Sequence, residues 1–169
     1  MSLAHAAEPD APYIKVSIPA QRLWLRHRKR VLLDAPVATA RNGPGERHGS
    51  ECTPRGWHVI RAKIGAGCPP DTVFVGRRPT GERYSAALRA QYPGRDWILT
   101  RILWLSGLQR GRNRLGEVDT MRRFIYIHGC PDDDPMGVPS SHGCIKLRNR
   151  QIIELFDRVQ AGTRVLIEG

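Results

Sequence analysis

Apolar and polar residues alternate through the first strand-like stretches of the chain. Residues 13–18 alternate and are rich in β-branched side chains, Pro19-Ala20 interrupts them, and 22–26 resume the pattern, which predicts a hairpin. The basic run 27–30 predicts a solvated turn, followed by a third strand over 31–39. Residues 41–56 carry Gly43, Pro44, Gly45, Gly49, Pro54 and Gly56, a loop composition. Further strands are expected over 57–62, 72–75, 97–105 and 122–128, with a short helix over 85–92. Helical period is plain in one place: Ile152, Leu155, Phe156 and Val159 recur at three- and four-residue steps, with Asn149 expected as N-cap and Gly162 as the stop. A last strand is expected over 163–167. Short strands, few helices and frequent Gly and Pro predict a mainly β domain, sandwich-like or barrel-like, with one or two short helices.

The length of 169 residues suits one domain, expected over 13–167, with 1–12 as a disordered N-terminal segment or cloning remnant. The stretch 65–120 is expected to form a lid-like insert. No apolar run reaches the roughly 18 to 20 residues of a membrane-spanning helix. The net charge is +11, and of 27 basic residues only four are lysine, which leaves 23 arginines. That excess favours an acidic ligand, because the guanidinium grips carboxylate or phosphate in a bidentate fork. Charge alone does not choose between nucleic acid, an anionic surface and a carboxylate-rich peptide. The N-terminus lacks a basic and apolar leader, and four cysteines without a CxxC pair point neither to a disulfide scaffold nor to a redox motif.

The chemistry concentrates near the C-terminus. Residues 124–129 read Phe-Ile-Tyr-Ile-His-Gly, and 141–147 read Ser-His-Gly-Cys-Ile-Lys-Leu after a Pro/Asp-rich loop. A cysteine attacks as its thiolate, and a nearby imidazole takes its proton. Cys144 is therefore the expected nucleophile and His128 its general base, oriented through the Gly129 backbone carbonyl. The Gly143 and Cys144 amides are expected to face a developing oxyanion.

These residues resemble the L,D-transpeptidase catalytic domain, also called the YkuD domain, whose signature is a strand ending in His-Gly followed by Ser/Thr-His-Gly-Cys. Thr53-Pro54-Arg55-Gly56 is similar to the family's Thr-Pro-x-Gly turn, and Gln21-Arg22-Leu23 to an element of its opening hairpin. The resemblance implies attack by Cys144 on an L,D bond of a peptidoglycan stem peptide, with D-alanine expelled and a thioester left. An amine then resolves the thioester in a transpeptidase, or water in an L,D-carboxypeptidase of muropeptide recycling. It also implies acylation by carbapenems and no cofactor or metal. Ser141 and His142 fall on signature positions, as active-site participants or as shapers of the loop. Lys146 stands where many members carry arginine. Lys146, Arg101 and Arg123 are the expected carboxylate grips, with Arg77, Arg78 and Arg83 as further candidates. A leader removed upstream implies the periplasm; a natively leaderless chain implies the cytoplasm.

Two other classes compete. His128-Gly129-Cys130 and His142-Gly143-Cys144 form two His-x-Cys pairs, which suit zinc by ligand type but not by spacing. Nucleic-acid binding rests on the charge and on Trp24, Trp57, Trp97 and Trp104, which sit in strand patterns and are expected mostly in the core. Cys130, two residues past the base, is a candidate disulfide partner for Cys144. The expected partner is thus a peptidoglycan or muropeptide stem peptide rather than nucleic acid, with no membrane span.

Overall fold

The computed structural model describes residues 8–169; of the expected N-terminal segment 1–12, residues 1–7 lie outside the described part. In chain order the first elements are β1 (Tyr13–Ser17), β2 (Arg22–His27), β3 (Arg30–Pro36), β4 (Gly56–Ile64), β5 (Thr72–Val75) and β6 (Arg78–Arg83). Then follow α1 (Ala86–Gln91), β7 (Ile98–Gly107), β8 (Tyr126–Cys130), β9 (Ile145–Arg148), α2 (Asn149–Arg158) and β10 (Arg164–Glu168).

The strands make one curled sheet. β1, β2 and β3 form an antiparallel meander, β10 lies parallel to β1, and β4 and β7 continue antiparallel from β10. The β5–β6 hairpin pairs with the start of β7, β8 runs antiparallel along β7, and β9 adds in parallel to β8. Ala38 and Lys146 exchange backbone hydrogen bonds of 3.1 and 2.9 Å, so the chain just past β3 meets β9 and curls the sheet towards closure. This is the mainly β architecture expected. Its main core holds Leu23, Leu25, Ile60, Leu105, Ile127 and Ile145, capped by Ile152, Leu155 and Phe156 of α2.

Several elements differ from the sequence pattern for identifiable reasons. Within 65–120, β7 is a central strand flanked by β4 and β8 and is no lid; the tip of the β5–β6 hairpin, Asp96 and Ile98 are the parts of this stretch that border the site. β6 carries no alternation because nearly all of it is exposed. β8 begins four residues later than the expected start at 122, because Asp119 ties down a turn. Its carboxylate accepts from the Leu115 and Arg122 amides at 2.7 and 2.9 Å, and Phe124 N–H bonds Met121 O at 3.1 Å. Asn149 is not an N-cap: it is the first residue of α2, preceded by Arg148, which makes no capping bond. Its side chain points inward, accepting from Thr100 Oγ1 at 2.6 Å and donating to Asp71 at 2.9 Å. Of the tryptophans only Trp97 is buried; Trp24, Trp57 and Trp104 are half-buried.

His58 is a fully buried histidine on β4, between Gly56 O and Thr120 Oγ1 at 3.0 Å each. Burial lowers its pKa from 6.5 to about 4, against the raising effect of the Gly56 carbonyl. The unfolded chain therefore takes up this proton first as pH falls. The stability from keeping His58 neutral is complete above 6.5 and is lost between 6.5 and about 4, about 3 kcal/mol in all. Urea midpoints at pH 7.5 and 4.5 are expected to fall more in the wild type than in His58→Gln; parallel losses in both would refute this role.

Candidate active site

Side-chain alternation along β8 builds the site. Ile125 and Ile127 face the main core, while Tyr126 and His128 face the other way, onto a cleft of about 480 Å³. The parallel pairing sets His128 opposite Lys146, so Cys144, two residues earlier, presents to the same cleft. The Gly76-Arg77 hairpin tip, Asp96, Arg123, Phe124, Ser141 and His142 complete most of its lining.

His128 is 1% exposed, and its Nδ1 lies 2.7 Å from the Gly129 carbonyl. A carbonyl only accepts, so Nδ1 carries the hydrogen and Nε2 is the nitrogen with a free lone pair. Gly129 leaves no room for a β-carbon, which would stand 2.5 Å from Asn149 Oδ1 and 2.7 Å from Leu99 O. Burial lowers the His128 pKa, outweighing the pull of Asp96 and the Gly129 carbonyl in the opposite direction. Burial also pushes the Cys144 thiol up to about 12, against the Tyr126 amide. Both shifts favour a neutral thiol and a neutral imidazole at rest. Cys144 Sγ rests between the Tyr126 N–H at 3.3 Å and the Phe124 carbonyl at 3.4 Å. Phe124 has φ +55, a left-handed conformation costly to a residue with a β-carbon and here held by the turn that precedes β8.

The 141–144 loop is held by Ser141 and Thr53. Ser141 Oγ donates to Cys144 O at 2.6 Å and accepts from Gly143 N–H at 3.2 Å. The Gly143 amide is thereby engaged and is not the free oxyanion donor expected of it. The N–H groups of His142 and Cys144 donate no hydrogen bond within the described residues. Thr53, from the Thr-Pro-x-Gly turn, donates through Oγ1 to the Gly143 carbonyl at 2.9 Å and accepts from Ala40 N–H at 2.9 Å. Gly143 itself has φ +133, and a β-carbon there would sit 3.1 Å from Ile125 Cδ1 and 3.3 Å from Cys52 O.

The expected carboxylate grips separate. Lys146 lines the cleft but lies 3.3 Å from Asp134. Arg123 lines it with its guanidinium bound to Cys52 O at 2.6 Å and Gly45 O at 3.2 Å, so it braces the 43–53 loop. Arg101 lies elsewhere: the β7 bulge buries it against Phe156, where it donates to Cys68 O and Thr100 O. Arg83 donates to Pro70 O and Arg78 is outside the cleft lining, whereas Arg77 stacks over Trp104 and donates to Tyr126 Oη at 3.0 Å. Tyr126 escaped the sequence reading although its place two residues before His128 in an alternating strand puts it on the same face. Asp96 carried no such signal, since only folding brings it near, and Thr53 was marked only as part of the Thr-Pro-x-Gly turn, without its hold on the Gly143 carbonyl.

The same register removes the Cys130–Cys144 disulfide. Cys130 pairs with Arg148, four residues beyond Cys144, about 13 Å along the strand, whereas bridged cysteines need Cα atoms within about 7 Å. The two His-x-Cys pairs do not converge either: among the described residues no three His, Cys, Asp or Glu side chains are placed to hold a metal. No helix of the described residues is long and apolar enough to cross a membrane.

A curled β domain with a buried histidine and a cysteine opening on one cleft defines the class of protein. The chain belongs to the YkuD family, the L,D-transpeptidase catalytic domain, whose model matches residues 11–167. It is 46% identical over 43 residues to probable L,D-transpeptidase YbiS of Escherichia coli K12, a stretch that is 25% of this chain and 14% of YbiS. It superposes on the L,D-transpeptidase of Xylanimonas cellulosilytica with TM-score 0.55 and 18% identity, over 96% of this chain and 62% of that one. The catalytic domain of an E. faecium L,D-transpeptidase acylated by ertapenem gives TM-score 0.54 and 19% identity, over 95% of this chain and 99% of that one.

Proposed function

We propose that the protein is a cysteine acyltransferase that cuts the L,D bond before the terminal D-alanine of a peptidoglycan stem peptide. The observation that carries this reading is the placement of a His128 ring of defined tautomer and the Cys144 thiol on one cleft. Once substrate displaces the thiol from Phe124 O, Nε2 of His128 takes its proton as sulfur attacks the carbonyl carbon. The amides of His142 and Cys144 stabilise the oxyanion, while Thr53 and Ser141 hold their loop in place. Collapse breaks the C–N bond, His128 returns the proton to the departing D-alanine amine, and a thioester remains on Cys144. An acceptor amine then attacks the thioester carbonyl; the C–S bond breaks as the new amide forms, the amine's proton restores the Cys144 thiol, and two stems are crosslinked. Acylation of the E. faecium catalytic domain by ertapenem supports the use of carbapenems as probes of Cys144.

The test is mass spectrometry of protein and products after incubation with a disaccharide tetrapeptide. D-alanine release with a crosslinked dimer is expected. Tripeptide alone would establish a carboxypeptidase, in which water replaces the amine. Unchanged tetrapeptide with no adduct on Cys144 would overturn the proposal.

A further inference from the structure

The bulge in β7 lies against the peptide that carries the base. Leu99 pairs with Gly129 and Ile102 with His128, so Thr100 and Arg101 are extra residues facing the single peptide that joins His128 to Gly129. Bulges re-aim neighbouring side chains and are over-represented beside active sites. Thr100 is fully buried with φ +76, a left-handed conformation that a β-branched residue keeps only where its surroundings force it. Its side chain supplies the restraint. Thr100 Oγ1 accepts from the Asp71 N–H at 3.0 Å and donates to Asn149 Oδ1 at 2.6 Å. A hydroxyl has one hydrogen to give, so this bond fixes which way the Asn149 amide faces. Asn149 Nδ2 then donates to Asp71 Oδ1 at 2.9 Å and reaches Asp132 Oδ1 at 3.5 Å. Arg101, the other bulge residue, donates to the Thr100 carbonyl at 2.7 Å.

This chain of bonds ends on Gly129. The space a β-carbon would take there is already closed by Asn149 Oδ1 and the Leu99 carbonyl, at 2.5 and 2.7 Å from that position. The Gly129 carbonyl in turn is the acceptor that keeps hydrogen on His128 Nδ1, at 2.7 Å. A hydrogen bond weakens steeply as its angle closes, so a turned Gly129 peptide leaves either ring nitrogen free to carry the hydrogen. Packing alone would be met by an apolar side chain on a relaxed backbone. A strained residue in a hydrogen-bonded chain fixes direction as well as volume. We infer that Thr100 and Asn149 are positioning residues for His128, holding the Gly129 peptide so that its carbonyl selects the Nδ1–H tautomer and leaves the Nε2 lone pair to Cys144. The inference rests on the proposed acyl transfer, which uses that lone pair, and deepens it. Neither residue lines the cleft, and both act through Gly129.

The test reads the ring itself. Protein labelled with ¹⁵N-histidine is observed by two-bond ¹H–¹⁵N NMR at pH 8 without substrate, and the His128 signals are identified by their loss in His128→Asn. The wild type is expected to show the Nδ1–H form. Thr100→Gly is the decisive variant, because glycine accepts φ +76 and keeps the bulge while the hydroxyl is lost. It should lower the ratio of Nδ1–H to Nε2–H by about tenfold, the worth of one hydrogen bond. It should also lower kcat/KM for acylation by about 10²-fold, the scale of a misplaced catalytic group. Asn149→Ala should act in the same direction, and Thr100→Ser, which retains the hydroxyl, should restore the wild-type spectrum. An unchanged tautomer in Thr100→Gly would overturn the inference whether or not Asn149→Ala folds, as would a Thr100→Ser spectrum matching that of Thr100→Gly. A tautomer shift in Thr100→Gly, with a wild type that no stem peptide acylates, would support the positioning role and count against the proposed reaction alone.

Discussion

Cys144→Ala is expected to form no covalent adduct with either a tetrapeptide stem or ertapenem, and to lower turnover by about 10⁴-fold or more, as loss of the nucleophile does in covalent catalysis. The fold should tolerate the change. Cys144 is half-buried, and the substitution removes one weak sulfur contact with the Tyr126 amide at 3.3 Å and one with the Phe124 carbonyl at 3.4 Å. Thermal unfolding should therefore shift by only a few degrees, on the scale of about 1 kcal/mol for one hydrogen bond. Intact mass before and after mixing provides the readout. An adduct that survives in Cys144→Ala would move the nucleophile to another thiol, with Cys52 on the adjoining loop the first to examine.

His128→Asn separates proton transfer from ring positioning. The asparagine amide can still donate to the Gly129 carbonyl, but nothing replaces Nε2. Loss of a positioned general base is expected to lower kcat/KM for acylation by about 10²–10⁴-fold. The pH profile gives an independent readout. Burial depresses the His128 pKa, so the base stays neutral, and acylation stays active, to pH values below the ordinary 6.5. Burial also holds Cys144 at about 12, so little thiolate exists at neutral pH in the free enzyme. Alkylation by iodoacetamide should then be slow at pH 7 and still rising at pH 10. A plateau at neutral pH would mean a preformed thiolate–imidazolium pair and would contradict the neutral resting state.

Much of this site was legible in the residues. Each side chain of β8 is assigned a face by strand alternation, so Tyr126 and His128 share a cleft once Ile125 and Ile127 are recognised as core. The Ser-His-Gly-Cys run marked the candidate nucleophile because few sequences need a histidine, a glycine and a cysteine in that order for packing alone. The expected grips were less legible. Arg101 and Arg123 look alike in sequence, yet one is buried by a bulge in β7 and the other braces carbonyls of the 43–53 loop. Asn149 had the residue type of an N-cap but spends its amide on Thr100 and Asp71, contacts that span 49 and 78 positions of the chain.

The sequence by itself determined local matters: most of the strands, the one helix of clear period, the faces along β8, the family signature, and the candidates for nucleophile and base. These follow from periodicity and from short-range chemistry that a few neighbouring residues carry. Only the tertiary structure decided which amides remain free beside Cys144, which arginines are already occupied, and that Cys130 lies too far along β9 to bridge. The reason is physical: register and sheet curl join residues distant in the chain, and a hydrogen bond or ion pair is decided by distance in space.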